Sequence, residues 1–284
     1  MRVLANSEEF RLIEFDSNKN GFSVCIVGGV HGNETSGIKS ISKLENELLT
    51  ENQLLSGKLI MLIANLKAVR LGQRFIDFDL NRAFGNPNAF GHESNLANFL
   101  SPYLSTLDYV LDLHSTSAST RPFCAGKLTE NHLNLFQMIG FEIYTQGWEV
   151  HRQYTMLVDD VYRLGGIGII AECGKTDECQ TDKVAYSAVI RLLEALGMLK
   201  PSTSAQIHTS INLTIIHINQ IIKAKTNCFS FTRHFENFEL VNAYEVVACD
   251  GYDPLSYPYN FIISMPTQGS LKERNEAFGI GLIK

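Results

Sequence analysis

Four short apolar runs alternate along the chain with stretches of helical periodicity. The runs are rich in β-branched residues and end at glycine or at polar residues, which is typical of buried strands. They cover Phe22–Val30, Lys58–Asn65, Tyr109–Leu113 and Gly166–Ala171, and the helical stretches cover Ser36–Leu49, His92–Leu104, Asn131–Ile139 and Thr181–Leu199. This alternation predicts an α/β fold with a mixed, mainly parallel sheet that is flanked by helices on both sides.

The pattern changes near Pro201, where a linker-like Pro-Ser-Thr-Ser segment begins. Beyond it the helical period is lost, and segments of near-alternating polarity are separated by turn residues. These β-rich segments cover Asn212–Ala224, Glu239–Ala248 and Tyr259–Met265. We therefore predict an α/β domain over residues 1–200 that carries the chemistry, followed by a small β-rich domain over residues 201–284.

The composition excludes several classes of protein. Of the 284 residues, 45% are hydrophobic and 19% are charged, which is typical of a globular chain. A net charge of −6 without a Lys/Arg cluster argues against a nucleic-acid partner. No apolar stretch approaches the roughly 18 residues of a membrane span, and the charged N-terminus does not resemble a signal peptide. The six scattered cysteines indicate buried thiols in a reducing compartment, so we expect a cytoplasmic protein without a membrane partner.

A glycine-rich segment, Gly28–Gly37, follows the first apolar run and leads into a helical stretch. Ligands of open α/β sheets bind at this edge, outside the carboxyl ends of the strands. His31 and Glu34 are three residues apart and can converge on one cation, for which zinc is the usual choice. A phosphate-binding turn fits poorly, because the spacing is not G-x-G-x-x-G. The alternative that both side chains cap the helix and satisfy one another stays open.

A second strand-like run ends at His114 and the hydroxyl residues after it, at the same predicted edge of the sheet. Two histidines and one glutamate form the ligand set of a catalytic zinc, which leaves its fourth position for water or substrate. Asp112 lies two residues earlier on the same side of the strand, where it either orients His114 or is a buried strand-end carboxylate without that role. The alternative is a histidine of the core with a structural partner.

Glu172 ends the apolar run Gly166–Ala171. An ionised carboxylate is rarely buried without a role or a partner. If it faces the metal, it can take a proton from water and later deliver it to a leaving nitrogen. The structural alternative is an ion pair with Lys175 or with an arginine.

Arginines are concentrated in the segment Arg74–Arg82 of an otherwise charge-poor chain. Arg74, Asn81 and Arg82 predict a carboxylate-binding site, because a guanidinium grips a carboxylate in a bidentate fork. The alternative is that the two arginines pair within the chain, with Asp77 and Asp79.

Together these segments resemble the succinylglutamate desuccinylase/aspartoacylase family, relatives of the zinc carboxypeptidases. The resemblance is carried by the patterns G-G-x-H-G-N-E-x-x-G, D-x-D-L-N-R-x-F, L-D-L-H-S-T and E-C-G, and it covers most of residues 22–175. It implies a zinc-carboxypeptidase-like, phosphorylase/hydrolase-like sheet with a small β domain after it. It also implies one Zn²⁺ per chain and hydrolysis of an N-acyl amide.

The resemblance implies a role for each matching residue. It places zinc on His31, Glu34 and His114, and the general acid/base on Glu172. It assigns the substrate carboxylate to Arg74, Asn81 and Arg82, and adds that Arg74 polarises the scissile carbonyl. Aspartoacylases carry a further substrate-binding arginine upstream of the catalytic glutamate, for which Arg163 is the candidate, and a C-terminal tyrosine where this chain has Leu271.

We therefore expect a zinc amidohydrolase that acts on a small, carboxylate-bearing N-acyl amino acid. The leucine at position 271 argues against an enzyme specific for N-acetylaspartate. The alternatives are a metallocarboxypeptidase that acts on short peptides and a zinc-bearing binding protein without turnover. The acyl group, the amino acid and the oligomeric state stay open, with a homo-oligomer among the alternatives.

Overall fold

The computed structural model describes residues 1–50, 53–151, 156–201, 213–267, 269 and 271–284. The strands are β1 (Arg2–Asn6), β2 (Arg11–Asp16), β3 (Ser23–Gly28), β4 (Lys58–Ile63), β5 (Tyr109–Thr116), β6 (Phe123–Ala125), β7 (Ile143–Gln146), β8 (Gly168–Lys175), β9 (Thr214–Lys223), β10 (Phe229–Phe231), β11 (Glu239–Val241), β12 (Ala248–Asp250), β13 (Asp253–Leu255), β14 (Phe261–Ser264) and β15 (Glu276–Ile283). The helices are α1 (Ser36–Thr50), α2 (Leu66–Leu71), α3 (Gly91–Leu104), α4 (Glu130–Ile139), α5 (Trp148–His151), α6 (Leu157–Arg163) and α7 (Cys179–Ala195), with a 3-10 turn at Leu80–Arg82.

Twelve strands form one sheet, in the order β1-β2-β4-β3-β5-β8-β6-β7-β9-β15-β14-β11. Its centre, β4-β3-β5-β8, is parallel throughout. Strand β6 then enters antiparallel to β8 and is followed by the parallel pairs β6-β7 and β7-β9. The three remaining strands, β10, β12 and β13, form a small antiparallel sheet.

The predicted α/β class is confirmed, and all four predicted strands and all four predicted helices are present. The expectation of a mainly parallel sheet is only partly right. Five neighbouring pairs of the large sheet are parallel and six are antiparallel. The antiparallel pairs come from the N-terminal hairpin, from β6 and from the C-terminal strands, none of which needs a crossover helix.

The C-terminal strands extend the large sheet, because β9 pairs with β7 on one side and with β15 on the other. The linker predicted at Pro201–Ser204 lies outside the described residues from residue 202 onward. The division into two domains near residue 201 therefore stays a prediction. A separate apolar cluster does lie in this region, around Phe235, Phe261 and Phe278.

Two apolar layers cover the central strands. One contains Leu96 and Leu100 of α3 together with Val158 of α6, and the other contains Leu44 of α1 and Val189 of α7. Helices thus cover both faces of the parallel strands, so the middle residues of these strands are buried and their carboxyl ends open onto one edge. None of the helices in the described ranges is long and apolar enough to cross a membrane.

The prediction that the cysteines are buried is right for Cys25, Cys124 and Cys173 and wrong for Cys179 and Cys228, which are exposed. The buried three lie in strands of the central sheet, whereas the exposed two lie at the start of α7 and just before β10.

Candidate metal centre and catalytic cleft

The predicted site lies at the carboxyl edge of the central strands. His31 and Glu34 lie in the loop that follows β3, whereas His114 and Glu172 lie within the last residues of β5 and β8. His114 and Glu172 are direct neighbours in the parallel register of these two strands. Since side chains two residues apart point to the same face, Asp112 and Ile170 form the row beneath them.

The loop after β3 turns tightly because two glycines allow it. Gly29 has a φ of 67°, which side chains of L-residues rarely adopt. A Cβ at Gly32 would lie 2.1 Å from the carbonyl carbon of Ala68, so only glycine fits between this loop and α2. This close approach carries His31 and Glu34 back over the strand ends.

Three buried side chains converge at this point. The Nδ1 atom of His31 lies 2.7 Å from Oε1 of Glu34, and the Nδ1 atom of His114 lies 3.0 Å from Oε2 of the same carboxylate. One donor atom from each of the three residues lies within 4.8 Å of the others. Two imidazole nitrogens and one carboxylate oxygen are a donor set that suits Zn²⁺.

The outer nitrogen of each histidine contacts a second carboxylate. Nε2 of His31 lies 3.0 Å from Oδ1 of Asp79, and Nε2 of His114 lies 2.9 Å from Oδ2 of Asp112. Such carboxylates fix the orientation of metal-binding histidines and leave the other nitrogen for the metal. The spacing predicted the contact of Asp112, but the sequence suggested only an ion-pairing role for Asp79. The mutual contact of His31 and Glu34 that the alternative predicts is present, and His114 adds a third donor to the same carboxylate.

The charges of this group reinforce one another. Burial opposes ionisation of Glu34, but His31 and His114 nevertheless hold its pKa well below the usual value. Burial likewise disfavours the charged form of His114, yet Asp112 and Glu34 hold its pKa well above the ordinary value. The Glu34 carboxylate is therefore ionised at neutral pH, which is the form that binds a cation.

Glu172 stands beside this group without a fixed partner. The residue is partly buried, and its carboxyl oxygen Oε2 is inaccessible and has no hydrogen-bond partner among the described residues. Burial raises the pKa of Glu172 to about 7, against the opposing effect of His114. A carboxyl group with a pKa near neutrality can both accept and return a proton at that pH. The alternative ion pair with Lys175 is not formed, since Lys175 contacts Glu178 instead.

Arg74 contacts the cluster of His31, Glu34 and His114, which is called the metal group below. Its guanidinium donates to Oε1 of Glu34 and to Oδ2 of Asp79, both at 3.1 Å. The predicted intramolecular pairing with Asp79 is thus present, whereas Asp77 accepts from the backbone N–H of His92. About two-fifths of the Arg74 side chain is exposed (43%), so it remains accessible from the cleft.

Asn81 and Arg82 follow in the same loop. Asn81 is buried, and its Oδ1 accepts from the backbone N–H of Leu157 at 2.9 Å, which joins the loop to the start of α6. The guanidinium of Arg82 donates to the carbonyl oxygen of Asn81 at 2.9 Å. Both residues face the same cleft as Arg74.

A buried carboxylate that the sequence did not reveal supports this loop. Glu93 in the first turn of α3 is fully buried and accepts from three consecutive backbone N–H groups, those of Ile76, Asp77 and Phe78, at 2.7–3.1 Å. It also accepts from Nδ2 of Asn65 at 2.9 Å. Glu93 therefore holds the segment between Arg74 and Asp79 in place.

These residues line one cleft with a volume of about 200 Å³. Seven of the predicted site residues face it, namely His31, Glu34, Arg74, Asn81, Arg82, His114 and Glu172. The sequence did not indicate Phe123, Trp148, Met156 or Met265, which also line it. Phe123 lies in the short strand β6 and Met265 follows β14, so their approach to the cleft depends on the order of strands in the sheet, which the sequence does not indicate.

Arg163 does not join the cleft. Its side chain is 58% exposed, and its guanidinium pairs with Asp160 one turn earlier on α6. The prediction that it binds substrate therefore has no support from its position. Leu271, where aspartoacylases have a tyrosine, is buried in the apolar cluster of the C-terminal region.

Known proteins resemble this chain in sequence over limited segments. A probable aspartoacylase from Trichodesmium erythraeum (strain IMS101) is 35% identical over 108 residues, which are 34% of this chain and 36% of that relative. A succinylglutamate desuccinylase from Yersinia pestis (strain Pestoides F) is 43% identical over 63 residues, 22% of this chain and 19% of the relative. The chain thus matches roughly a third or less of the length of these two relatives.

Solved structures resemble the whole fold. A succinylglutamate desuccinylase/aspartoacylase from Rhodobacter sphaeroides has a TM-score of 0.74 at 20% identity, over 97% of this chain and 89% of that chain. The product-bound ectoine utilization protein EutE (DoeB) from Ruegeria pomeroyi has a TM-score of 0.71 at 17% identity, over 96% and 88%.

The model of one protein family matches the sequence directly. This model describes the succinylglutamate desuccinylase/aspartoacylase catalytic domain and matches residues 20–196, which include every residue of the metal group and Glu172. The match covers more than half of the chain, and it agrees with the family named by the similar structures. The chain belongs to the succinylglutamate desuccinylase/aspartoacylase family.

Proposed function

We propose that this protein is a zinc-dependent amidohydrolase that cleaves the amide bond of a small N-acyl amino acid. One observation carries the proposal: the Nδ1 atoms of His31 and His114 meet the carboxylate of Glu34 beside the unpartnered carboxyl oxygen of Glu172. Family membership supports the same chemistry.

His31, Glu34 and His114 would hold one Zn²⁺ per chain. When bound there, zinc would act as a Lewis acid and bring the pKa of water toward neutrality. Asp79 and Asp112 would keep the two imidazoles in the orientation that this requires.

Glu172 would move the proton. Its Oε2 has no competing hydrogen-bond donor among the described residues, so it can accept a proton from the attacking water. A pKa near 7 lets the same carboxyl group return that proton to the amide nitrogen as the bond breaks. The amino half of the substrate therefore lies on the Glu172 side of the metal group.

The arginines would hold the charges of the substrate. Arg74 stands beside Glu34 and would stabilise negative charge that develops on the carbonyl oxygen. Asn81 and Arg82 would hold the α-carboxylate. The cytoplasmic location and a homo-oligomeric state stay predictions.

A hydrolysis screen tests this function. Protein loaded with one equivalent of Zn²⁺ is expected to release free amine from at least one of a panel of N-acetyl, N-succinyl and N-formyl amino acids, and a chelator is expected to abolish the release. The His31→Ala and His114→Ala variants should bind less zinc by metal analysis. Cleavage of short peptides without cleavage of any N-acyl amino acid would replace the proposal with a carboxypeptidase.

A further inference from the structure

Two non-glycine residues at the apolar side of the cleft have left-handed backbone conformations. Met265, which lines the cleft, has a φ of 51°, and Phe238 has a φ of 68°. Side chains of these types rarely adopt such angles, so the surrounding structure must impose them. The ring of Phe238 meets that of Phe123 edge to face, with 4.9 Å between the centroids, and Phe123 also lines the cleft. Both residues thus form or support its wall.

Asn237 joins these two positions. It precedes Phe238 in the chain, and its side-chain Oδ1 accepts from the backbone N–H of Met265 at 2.8 Å. The amide Nδ2 of the same side chain donates to the sulfur of Met265 at 3.6 Å. Asn237 therefore contacts Met265 at its backbone and at its side chain, and the directional bond to the N–H fixes the peptide plane before this residue.

The chain is also held on the other side of Met265. The backbone N–H of Thr267 donates to the carbonyl oxygen of Ala277 at 2.8 Å, and the hydroxyl of Thr267 donates to the carbonyl oxygen of Glu276 at 2.8 Å. These bonds attach the segment to β15. Asn237 on one side and β15 on the other keep Met265 in a sparsely populated conformation, as occurs where a structure is fixed at a functional site.

Asn237 contacts the loop between β5 and β6 as well. Its Nδ2 donates to Oγ1 of Thr120 at 2.9 Å, and that hydroxyl donates onward to the carbonyl oxygen of Arg121 at 3.0 Å. The loop begins at Ser117, which lines the cleft next to the end of β5. One amide group thus ties the C-terminal strands to a loop that starts beside the metal group.

We propose that Asn237 is a positioning residue of the cleft, which places the thioether of Met265 against the bound substrate. The inference rests on the proposed function, because it assumes that the substrate occupies the cleft beside the metal group. A methionine side chain has three rotatable bonds, so its place depends on what its backbone and its sulfur contact. Asn237 itself lines an adjoining pocket of about 140 Å³, so it acts through Met265 and not on the reacting atoms.

The Michaelis constant gives the first test. We expect Asn237→Ala to raise KM of the zinc-loaded protein about tenfold for the best substrate of the panel of N-acyl amino acids, and to change kcat less than about threefold. Asn260→Ala is the matched control, because Oδ1 of Asn260 also accepts from a backbone N–H of the C-terminal region, that of Ala243 at 2.8 Å. The control should leave KM unchanged. Equal KM values for Asn237→Ala and the wild type would overturn the proposal and leave the proposed function intact.

A double-mutant cycle tests whether Asn237 acts through Met265. Met265→Ala removes the thioether, so the loss of Asn237 in addition should cost little more. We expect kcat/KM of the double variant to lie within about threefold of that of Met265→Ala, whereas independent effects would multiply. Losses that multiply would show that Asn237 supports the structure in general, and would contradict its action through Met265.

A third test does not depend on turnover. In protein that carries carbon-13 in its methionine methyl groups, the Met265 signal is the one of the six that Met265→Leu removes from the NMR spectrum. Asn237→Ala should shift or broaden this signal in metal-free protein and Asn260→Ala should not, because Asn237 contacts the sulfur. An unchanged signal in Asn237→Ala would overturn the proposal. A changed signal, in a protein whose wild type hydrolyses no member of the panel, would leave Asn237 as the residue that positions Met265 and remove the proposed function.

Discussion

The two sides of the cleft are built differently. On the charged side, hydrogen bonds at defined distances position the functional groups: Asp79 and Asp112 orient the histidines, and Glu93 holds the loop that carries Arg74. On the apolar side, Phe123 and Ile170 are held by packing alone. Directional contacts tolerate little change, whereas apolar side chains of similar volume can replace one another at small cost. The positions of the polar groups are therefore specified narrowly, whereas the apolar lining of the cleft can vary on the same scaffold.

The largest expected effect is on the charged side. Glu172→Gln keeps the shape of the side chain but removes its ability to accept a proton, so kcat should fall by about 10²–10⁴ for every substrate. Steady-state kinetics with the panel described above measures this loss, and metal analysis should find zinc binding unchanged. If kcat falls for some substrates only, Glu172 acts on substrate selectivity and not as the general base.

The second effect is on stability and concerns the same residue. Because burial raises the pKa of Glu172 to about 7, the folded state binds its proton more tightly than the unfolded state does. The stabilisation is therefore complete below the unfolded pKa and is lost as pH rises from about 4.5 to about 7. In metal-free protein this loss should be about 2–3 kcal/mol larger in the wild type than in Glu172→Gln. Urea unfolding at pH 4.5 and pH 8 measures it, and equal losses would show that Glu172 is not buried as described.

The smallest expected effect concerns Glu93, which holds the loop that carries Arg74. Glu93→Gln would set an amide N–H₂ against backbone N–H groups, and we expect a loss of about 1–2 kcal/mol in the free energy of unfolding. The KM should also rise, because the loop from Arg74 to Arg82 would shift. Glu130→Gln, at an exposed position in the first turn of α4, is the matched control. Similar unfolding curves for the two variants would mean that Glu93 does not hold the loop.

The central part of the fold was predictable because its signals are local. Buried parallel strands such as β3 and β8 are continuous apolar runs, and amphipathic helices such as α7 repeat with their own period. Strand β6 has only three residues, Phe123–Ala125, and no alternation, so nothing in the sequence indicates its antiparallel insertion. It accounts for one of the six antiparallel pairs that make the expectation of a mainly parallel sheet only partly right.

The residues of the candidate site were likewise predictable only where the sequence has a local signal. His31, His114 and Glu172 were predictable because each follows or ends an apolar strand, and parallel strands end at one edge. Trp148 and Met265 reach the cleft through the order of strands β6, β7, β9, β15 and β14, which is a property of the whole topology. The sequence does not indicate the role of Glu93, because its partners are backbone N–H groups, which every non-proline residue carries.

A fragment that ends where the family match ends would lose part of the large sheet. The family model ends at residue 196, but β9 still pairs with β7 beyond that point. A fragment cut there would leave β7 with an uncovered row of N–H and C=O groups, which is a template for intermolecular strand addition. Met265 and the packing of Gly279 on Trp148 would be lost as well. The C-terminal strands thus cover an edge that a fragment ending at residue 196 would expose.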